Sequence, residues 1–438
     1  MFKTLINAFK IEDIRKKIAY TFLMLIVLRI GSLLPVPGVN RALFASWFMQ
    51  NSNSAFNFFD AFTGGSFSSM SLFALGVNPY ITSSIIIQLL AIAIPALEEM
   101  QKDGEDGKAK MQKITRYLTI GLALIEAVAM TIGFKNQGFL QAGGFEVFVG
   151  VVAALVGGSC LVMWIGERIT EKGVGNGISI VLMVNIISRI PDDFVSLFFQ
   201  FIKGKAFVTG LIAAVVIIAV VLLTIVLVIF LQDGVRKIPV QYAKKMQGRK
   251  MVGGQSTHIP LKVNTAGVIP VIFASSLMSF PSIIAMLMGK SGGNGMGGKI
   301  LNTLSQANWC NPSKPWYTIG LLIYILLCIF FAYFYTSITF NPLEVANNMK
   351  RQGGFVPGIR PGKPTSDYLS KILNYIIFIG AIGLIIVAVI PIFFNGVFGA
   401  SVSFGGTSLI IVVGVVLETI KQIESQMVNR HYKGFLTE

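Results

Sequence analysis

Apolar residues in this chain come in long runs rather than in alternation, and the runs have the length of a bilayer's hydrocarbon core. Ten spans are predicted, at 18–34, 73–97, 115–133, 147–165, 178–190, 207–231, 265–288, 316–340, 368–393 and 404–423. A span needs about 20 mainly apolar residues, and fewer when other helices enclose it, as the short fifth run requires. The second run is the unusual one. Ala61–Ser71 opens it with small and polar residues (Gly64, Gly65, Ser66, Ser68, Ser69, Ser71), and the apolar stretch that follows carries Asn78-Pro79, Thr82, Ser83, Ser84 and Gln88. Unpaired hydroxyls and amides are costly in hydrocarbon, so this pattern fits a short non-spanning segment followed by a half-buried helix that lines a cavity. The seventh run is similar, with Pro270, Pro281 and the pair Ser275-Ser276.

Composition agrees with a polytopic membrane protein. Of 438 residues, 54% are hydrophobic and 13% charged, with a mean hydropathy of +0.72; soluble proteins carry about 25% charged residues. The net charge of +16 would suggest nucleic acid in a soluble chain, but here its placement matters more. Loops 1–17, 98–116, 166–177, 232–264, 341–371 and the tail from 421, which include the span ends, hold 27 Lys and Arg, while 35–57, 134–146, 189–206, 289–315 and 394–403 hold 8, with Arg29 inside the first span. The positive-inside rule then puts both termini in the cytoplasm. Met1–Tyr20, with Phe2, Leu5, Ile6, Phe9 and Ile14 among five cations, suits either an interfacial amphipathic helix or a topology anchor. The first hydrophobic run leads into Pro35-Val36-Pro37-Gly38 without a small-residue cleavage site, so it is expected to be retained as a span.

Little points to catalysis. Cys160, Cys310 and Cys328 have no metal-ligand spacing, and His258 and His431 are the only histidines, so neither a metal site nor another cofactor is expected. Neither a Ser/His/Asp set nor HExxH nor paired intramembrane aspartates can be picked out, and the chain is expected not to be an enzyme. Gly166–Gly177 (GERITEKGVGNG) lacks the Lys-Ser/Thr of a phosphate cradle and reads as a tight turn seating the fifth helix. Glu126 is a carboxylate within the third span, either functional or near the far interface. Glu98–Lys113 reads as a solvated cytoplasmic turn. In Gln232–Asn264, Val235–Tyr242 and Lys250–Gln255 are strand-like on either side of a Gly248 turn, which predicts a basic hairpin for an acidic protein, RNA or lipid headgroups. In Asn341–Asp367, Gly353-Gly354 and Pro357–Gly362 set turns that present Arg360, unless it is merely solvated. Five spans in each half force opposite orientations, so related halves would form an inverted pair. From residues alone the chain reads as a passive conduit with two docking loops; a lipid or small-solute secondary transporter using Glu126 or Arg29, and an insertase without a full pore, are the alternatives.

Six motifs, in order, carry a resemblance: RIGSLLPVPG (29–38), FALGVNPYITSSIIIQLL (73–90), ITEKGVGNGISI (169–180), QSTHIPLKVNTAGVIPVIFASS (255–276), FVPGIRPGKPT (355–365) and FGGTSLIIVVGV (404–415). From about Ile11 to Met427 the chain resembles the SecY family, the channel subunits of the bacterial Sec translocon. The resemblance implies an all-α membrane protein of ten transmembrane helices, in two inverted five-helix halves around an hourglass pore with a short plug helix. The halves would be 1–206, with the plug at about 59–70, and 207–438, with docking loops 232–264 and 341–367.

The same resemblance assigns an aliphatic pore ring to Val77, Ile81, Ile178, Leu182, Ile272 and Ile411, with Val77 and Leu182 where isoleucine is common in relatives. The plug falls on Phe59, Asp60, Ala61, Phe62, Thr63, Gly64, Gly65, Ser66 and Phe67, whose small residues suggest a weakly held element. A lateral gate falls on Thr82, Gln88, Glu126, Ser276 and Phe280, where polar pairs would add about 0.6 kcal/mol each to closure. SecA or ribosome docking falls on Arg236, Lys244, Lys245, Arg249, Lys250 and Arg360. Expected partners are SecE, SecG, the motor ATPase SecA, the ribosome, signal sequences and preproteins, and membrane lipids. The expected location is the bacterial cytoplasmic membrane.

Overall fold

A computed structural model of the chain describes residues 9–50, 56–141, 144–203, 207–242, 245–247, 250–252, 256–287, 296–305, 308–310, 315–398 and 406–433. Every predicted span is occupied by a helix. In the first half these are α1 (Glu12–Leu33), α4 (Asn78–Ala93), α6 (Gly104–Asn136), α7 (Phe145–Lys172) and α8 (Gly177–Leu197). In the second they are α9 (Phe207–Asp233), α10 (Ile269–Leu287), α12 (Ile319–Thr339), α14 (Lys363–Phe398) and α15 (Gly406–Lys433). Shorter helices are α2 (Arg41–Gln50), α3 (Phe56–Thr63), α5 (Pro95–Lys102), α11 (Met296–Leu304) and α13 (Pro342–Arg351). Among the described residues, five helical stretches are long and apolar enough to cross a membrane unaided, and six if the bent pair α4–α5 counts as one. Both α1, with Phe22, Leu23, Ile26, Ile30 and Leu33, and α9, with Leu211, Ile212, Val215, Ile218, Leu222 and Phe230, turn large apolar side chains outward, the surface of a lipid-facing span.

Several boundaries differ from expectation. The second span starts at Asn78, not 73, because Pro79 occupies the first helical turn, where its missing N–H costs nothing. Asn78-Pro79 is thus a helix start rather than an interior break. The helix stops at Ala93, and the chain bends by 110° before continuing from Pro95 as α5. The charged segment 98–113 is helical through α5 and the first turns of α6, apart from a break at Asp103. The fifth helix extends to Leu197, with Pro191 inside it, followed by a π turn at Phe198–Ile202. At the other end Asn176 caps it by accepting from the Ser179 N–H at 3.4 Å. A Cβ added at Gly177 would run into the Gly166 carbonyl, so the glycines of this turn let α7 and α8 approach closely. Ile14 belongs to the continuous helix α1, while residues 1–8 of the proposed amphipathic segment lie outside the described residues.

The first and second sets of five helices touch through α8 against α15 and α6 against α10. Near the start of α1 and the end of α15, Ile14, Val174 and Ile423 cluster, and Lys421 pairs with Asp233 at 2.7 Å. The loops 232–264 and 341–367 hold strands β1 (Val235–Tyr242), β2 (Lys245–Gln247), β3 (Lys250–Val252), β4 (Ser256–Lys262) and β5 (Gly354–Phe355). The returning arm predicted at Lys250–Gln255 is instead β4, which pairs antiparallel with β1 in the register Ile238↔Ile259, while β2 and β3 close the tip. The other edge of β1 receives β5, giving the order β4-β1-β5. Two loops separated by about a hundred residues thus form one sheet, whose apolar face (Ile238, Val240, Leu261) packs on Met349, Val356, Leu369 and Ile372. Leu369 is wholly buried there. Leu369→Ala should destabilise this platform by about 2–5 kcal/mol, read as faster limited proteolysis in 232–264 and 341–362 with the membrane helices still protected.

Candidate functional site

The segment after α3 decides the geometry. Gly64 and Gly65 take φ of +66° and +82° and end the helix. From there to Gly76 the chain runs in turns rather than helix. The expected plug helix is therefore only Phe56–Thr63, with a turn-rich continuation. Its backbone is tied to the loop after α1: the Val36 N–H donates to the Met70 carbonyl at 3.0 Å and the Leu72 N–H to the Leu34 carbonyl at 2.7 Å. Ser159 Oγ of α7 donates to the Gly76 carbonyl at 3.3 Å. Phe67 enters an aromatic cluster, edge-on to Phe44 and Phe48 at centroid distances of 5.6 and 6.0 Å.

This segment is held more firmly than its small residues suggest. Asp60 is fully buried. One of its oxygens accepts from the Ser68 N–H at 2.7 Å, and the other accepts from Arg189 Nη2 on α8 at 2.5 Å. Asn185, one turn before Arg189, donates from Nδ2 to the Phe62 carbonyl at 3.1 Å. A Cβ at Gly64 would sit 2.9 Å from Asn185 Cα, so glycine lets the two backbones meet. Burial pushes the Asp60 carboxyl above the usual carboxylate range, with Arg189 and the Ser68 amide pulling it back. Asn185 and Arg189 were missed as site residues, although two polar groups one turn apart beyond the apolar run 180–184 are a legible signal.

The six residues assigned to a ring are brought together. Val77 precedes α4 and Ile81 lies one turn on; Ile178 and Leu182 are one turn apart on α8; Ile272 lies on α10 and Ile411 on α15. All six belong to one apolar cluster, with Val77, Leu182, Ile272 and Ile411 buried and Ile81 and Ile178 packed against them. Phe62 of α3 and Ile186 of α8 join the same cluster. The side chains of Ala61, Thr63 and Ser66 are also buried, while that of Phe59 lies outside the described residues.

The gate residues are not joined in this way. Thr82 and Gln88 are half-buried on α4, Glu126 half-buried on α6, and Ser276 exposed on α10; the Phe280 side chain lies outside the described residues. Gln88 Nε2 reaches Ser84 Oγ of its own helix at 3.5 Å. Among the described residues no hydrogen bond links Thr82, Glu126 and Ser276, so the expected polar pairs are absent here. Of the docking residues, Arg236 and Arg360 are exposed, Lys244 and Arg249 lie outside the described residues, and so do the side chains of Lys245 and Lys250. Arg360 is presented by a fixed turn. Its carbonyl accepts from Thr365 Oγ1 at 2.8 Å, and the Ile359 N–H donates to the Val356 carbonyl at 3.0 Å. Ile359 meanwhile packs into the platform's apolar face.

Comparison with known proteins matches this arrangement. Residues 71–420 match the family model named SecY. The chain is 44% identical over 443 residues to the protein translocase subunit SecY of Halalkalibacterium halodurans, covering all of both chains. It is 43% identical to that of Bacillus subtilis over 445 residues, again covering both fully. Among solved structures it resembles a protein-conducting channel with a TM-score of 0.63 at 18% identity, covering 95% of this chain and 93% of that one. It resembles Sec61 of a canine ribosome–channel complex with a TM-score of 0.61, also at 18% identity and with the same coverage. Taken with the apolar cluster and the enclosed turn segment beside it, these likenesses make the chain a member of the SecY family of protein-conducting translocase channels.

Proposed function

We propose that the chain carries unfolded preproteins across the bacterial cytoplasmic membrane and releases transmembrane segments sideways into lipid. The observation that carries this reading is the single apolar cluster in which Val77, Ile81, Ile178, Leu182, Ile272 and Ile411 meet Phe62. As a waist between halves 1–206 and 207–438, these side chains form a flexible apolar constriction. It can fit around a passing chain, and it resists ions because a narrow apolar passage disfavours water. Segment 59–70 is the plug, reaching that waist through Phe62. The gate lies between α4 with α6 and α10 with α12, where Thr82, Gln88, Glu126, Ser276 and Phe280 fall. A signal sequence opens it by binding the open form better than the closed one.

The pore is passive, so the work of transport comes from SecA, the translating ribosome or the proton-motive force. SecA and the ribosome dock on Arg236, Lys244, Lys245, Arg249, Lys250 and Arg360. SecE clamps the halves, SecG is a further small partner, and both termini of this chain face the cytoplasm, as the asymmetry of Lys and Arg supports.

In planar bilayers the intact protein should be electrically quiet. Deleting Phe59–Met70 should raise ion leak while preprotein export in membrane vesicles persists; silence in both would favour a carrier or insertase. Placing an amide in the waist, as in Leu182→Asn or Ile411→Asn, should also raise basal conductance by wetting the constriction. Arg360→Glu should weaken SecA or ribosome binding by about tenfold or more and leave conductance unchanged. Co-sedimentation with either partner measures this, and undiminished binding would remove Arg360 from the docking surface.

A further inference from the structure

Asp60 and Arg189 form an unequal pair. The carboxylate is fully buried, whereas the Arg189 side chain is 25% exposed and also lies 3.6 Å from the exposed carboxylate of Asp192. Arg189 therefore has water and a second acidic neighbour whether or not α3 is seated beside it. Asp60 depends on Arg189 for its only close opposite charge among the described residues. We propose that Arg189 is the positioning residue for channel closure: it supplies the counter-charge without which the Asp60-bearing helix cannot keep its buried seat. This deepens the plug assignment above and rests on it.

Two further contacts give the seat its shape without supplying charge. Asn185 Nδ2 donates to the Phe62 carbonyl, and Phe67 packs edge-on to Phe44 and Phe48. Neither compensates a buried anion. Removing one partner of a buried ion pair leaves an uncompensated charge, whereas removing both can be close to neutral. The consequences are asymmetric. Loss of Arg189 alone drives α3 off its seat, because displacement returns Asp60 to water. Loss of both charges leaves a neutral side chain that still accepts from the Ser68 N–H and is held by Asn185 and Phe67. Loss of Asp60 alone strands a cation that already reaches solvent. The closed form thus fails only when the buried carboxylate is left without its counter-charge, and that is decided at Arg189.

The test is basal ion conductance of the full-length chain in planar bilayers, comparing wild type, the Phe59–Met70 deletion, R189Q, D60N and D60N/R189Q. The gel-filtration profile of each protein is checked first. R189Q should leak roughly tenfold or more above wild type and approach the deletion, while D60N and D60N/R189Q should stay close to wild type. Restoration in the double variant also shows that the R189Q substitution is tolerated by the fold. If the deletion leaks and R189Q stays quiet, Arg189 has no part in closure and the channel reading stands. If R189Q and D60N/R189Q leak alike, Arg189 acts by packing on α8 and the charge account is overturned. If D60N leaks as much as R189Q, the asymmetry on which the proposal rests is wrong. If the deletion itself is silent, the plug reading fails and takes this proposal with it.

Discussion

Backbone N–H and C=O groups at membrane depth must find partners within the protein, and the stretch from Gly64 to Gly76 meets that requirement without a helix. Its partners are its own turns, the loop after α1 and a serine of α7. A backbone of this kind is stable only where protein surrounds it. The enclosure needs helices on all sides, glycines where backbones touch and polar side chains aimed inward. Gly64 beside Asn185, the buried Asp60 and the polar residues at the start of α4 all answer to that one constraint. The apolar cluster around Val77 and Leu182 borders the same enclosure on its other side.

Much of this was legible in the sequence because its driving terms are local. Ten apolar runs mark ten helices, and the polar-flecked second run marks the enclosed one. What was misread depended on pairing between distant residues. The two-residue strand Gly354–Phe355 has no pattern of its own and becomes a strand only because β1 offers it an open edge. Segment 98–113 looked like a turn because it is charged and contains Gly104 and Gly107, yet the helix on either side propagates almost through it. Composition around Gly64 suggested weak packing, since it counts the contacts that small side chains lack. It cannot count the ion pair that Asp60 makes with a residue 129 positions away.

The apolar cluster and the residues proposed for a gate differ in the same respect. Val77, Ile81, Ile178, Leu182, Ile272 and Ile411 converge because apolar side chains cluster without needing a particular geometry. Thr82, Glu126 and Ser276 would each need a partner at hydrogen-bond distance, and helix positions alone do not provide one. The described contact between α6 and α10 is therefore one of packing.

The joining of β5 to β1 has a structural consequence. Because β1 is bonded along both edges, the hairpin and the turn bearing Arg360 belong to one sheet, and β1 continues through Gly234 into the membrane helix α9. The Val263 N–H closes that junction by donating to the Gly234 carbonyl at 2.8 Å. The two loops are therefore not independent of each other. Their shared sheet leads along the backbone to the root of α9 and meets α14 at Leu369 and Ile372. The sheet is thus joined at two places to the second half of the molecule.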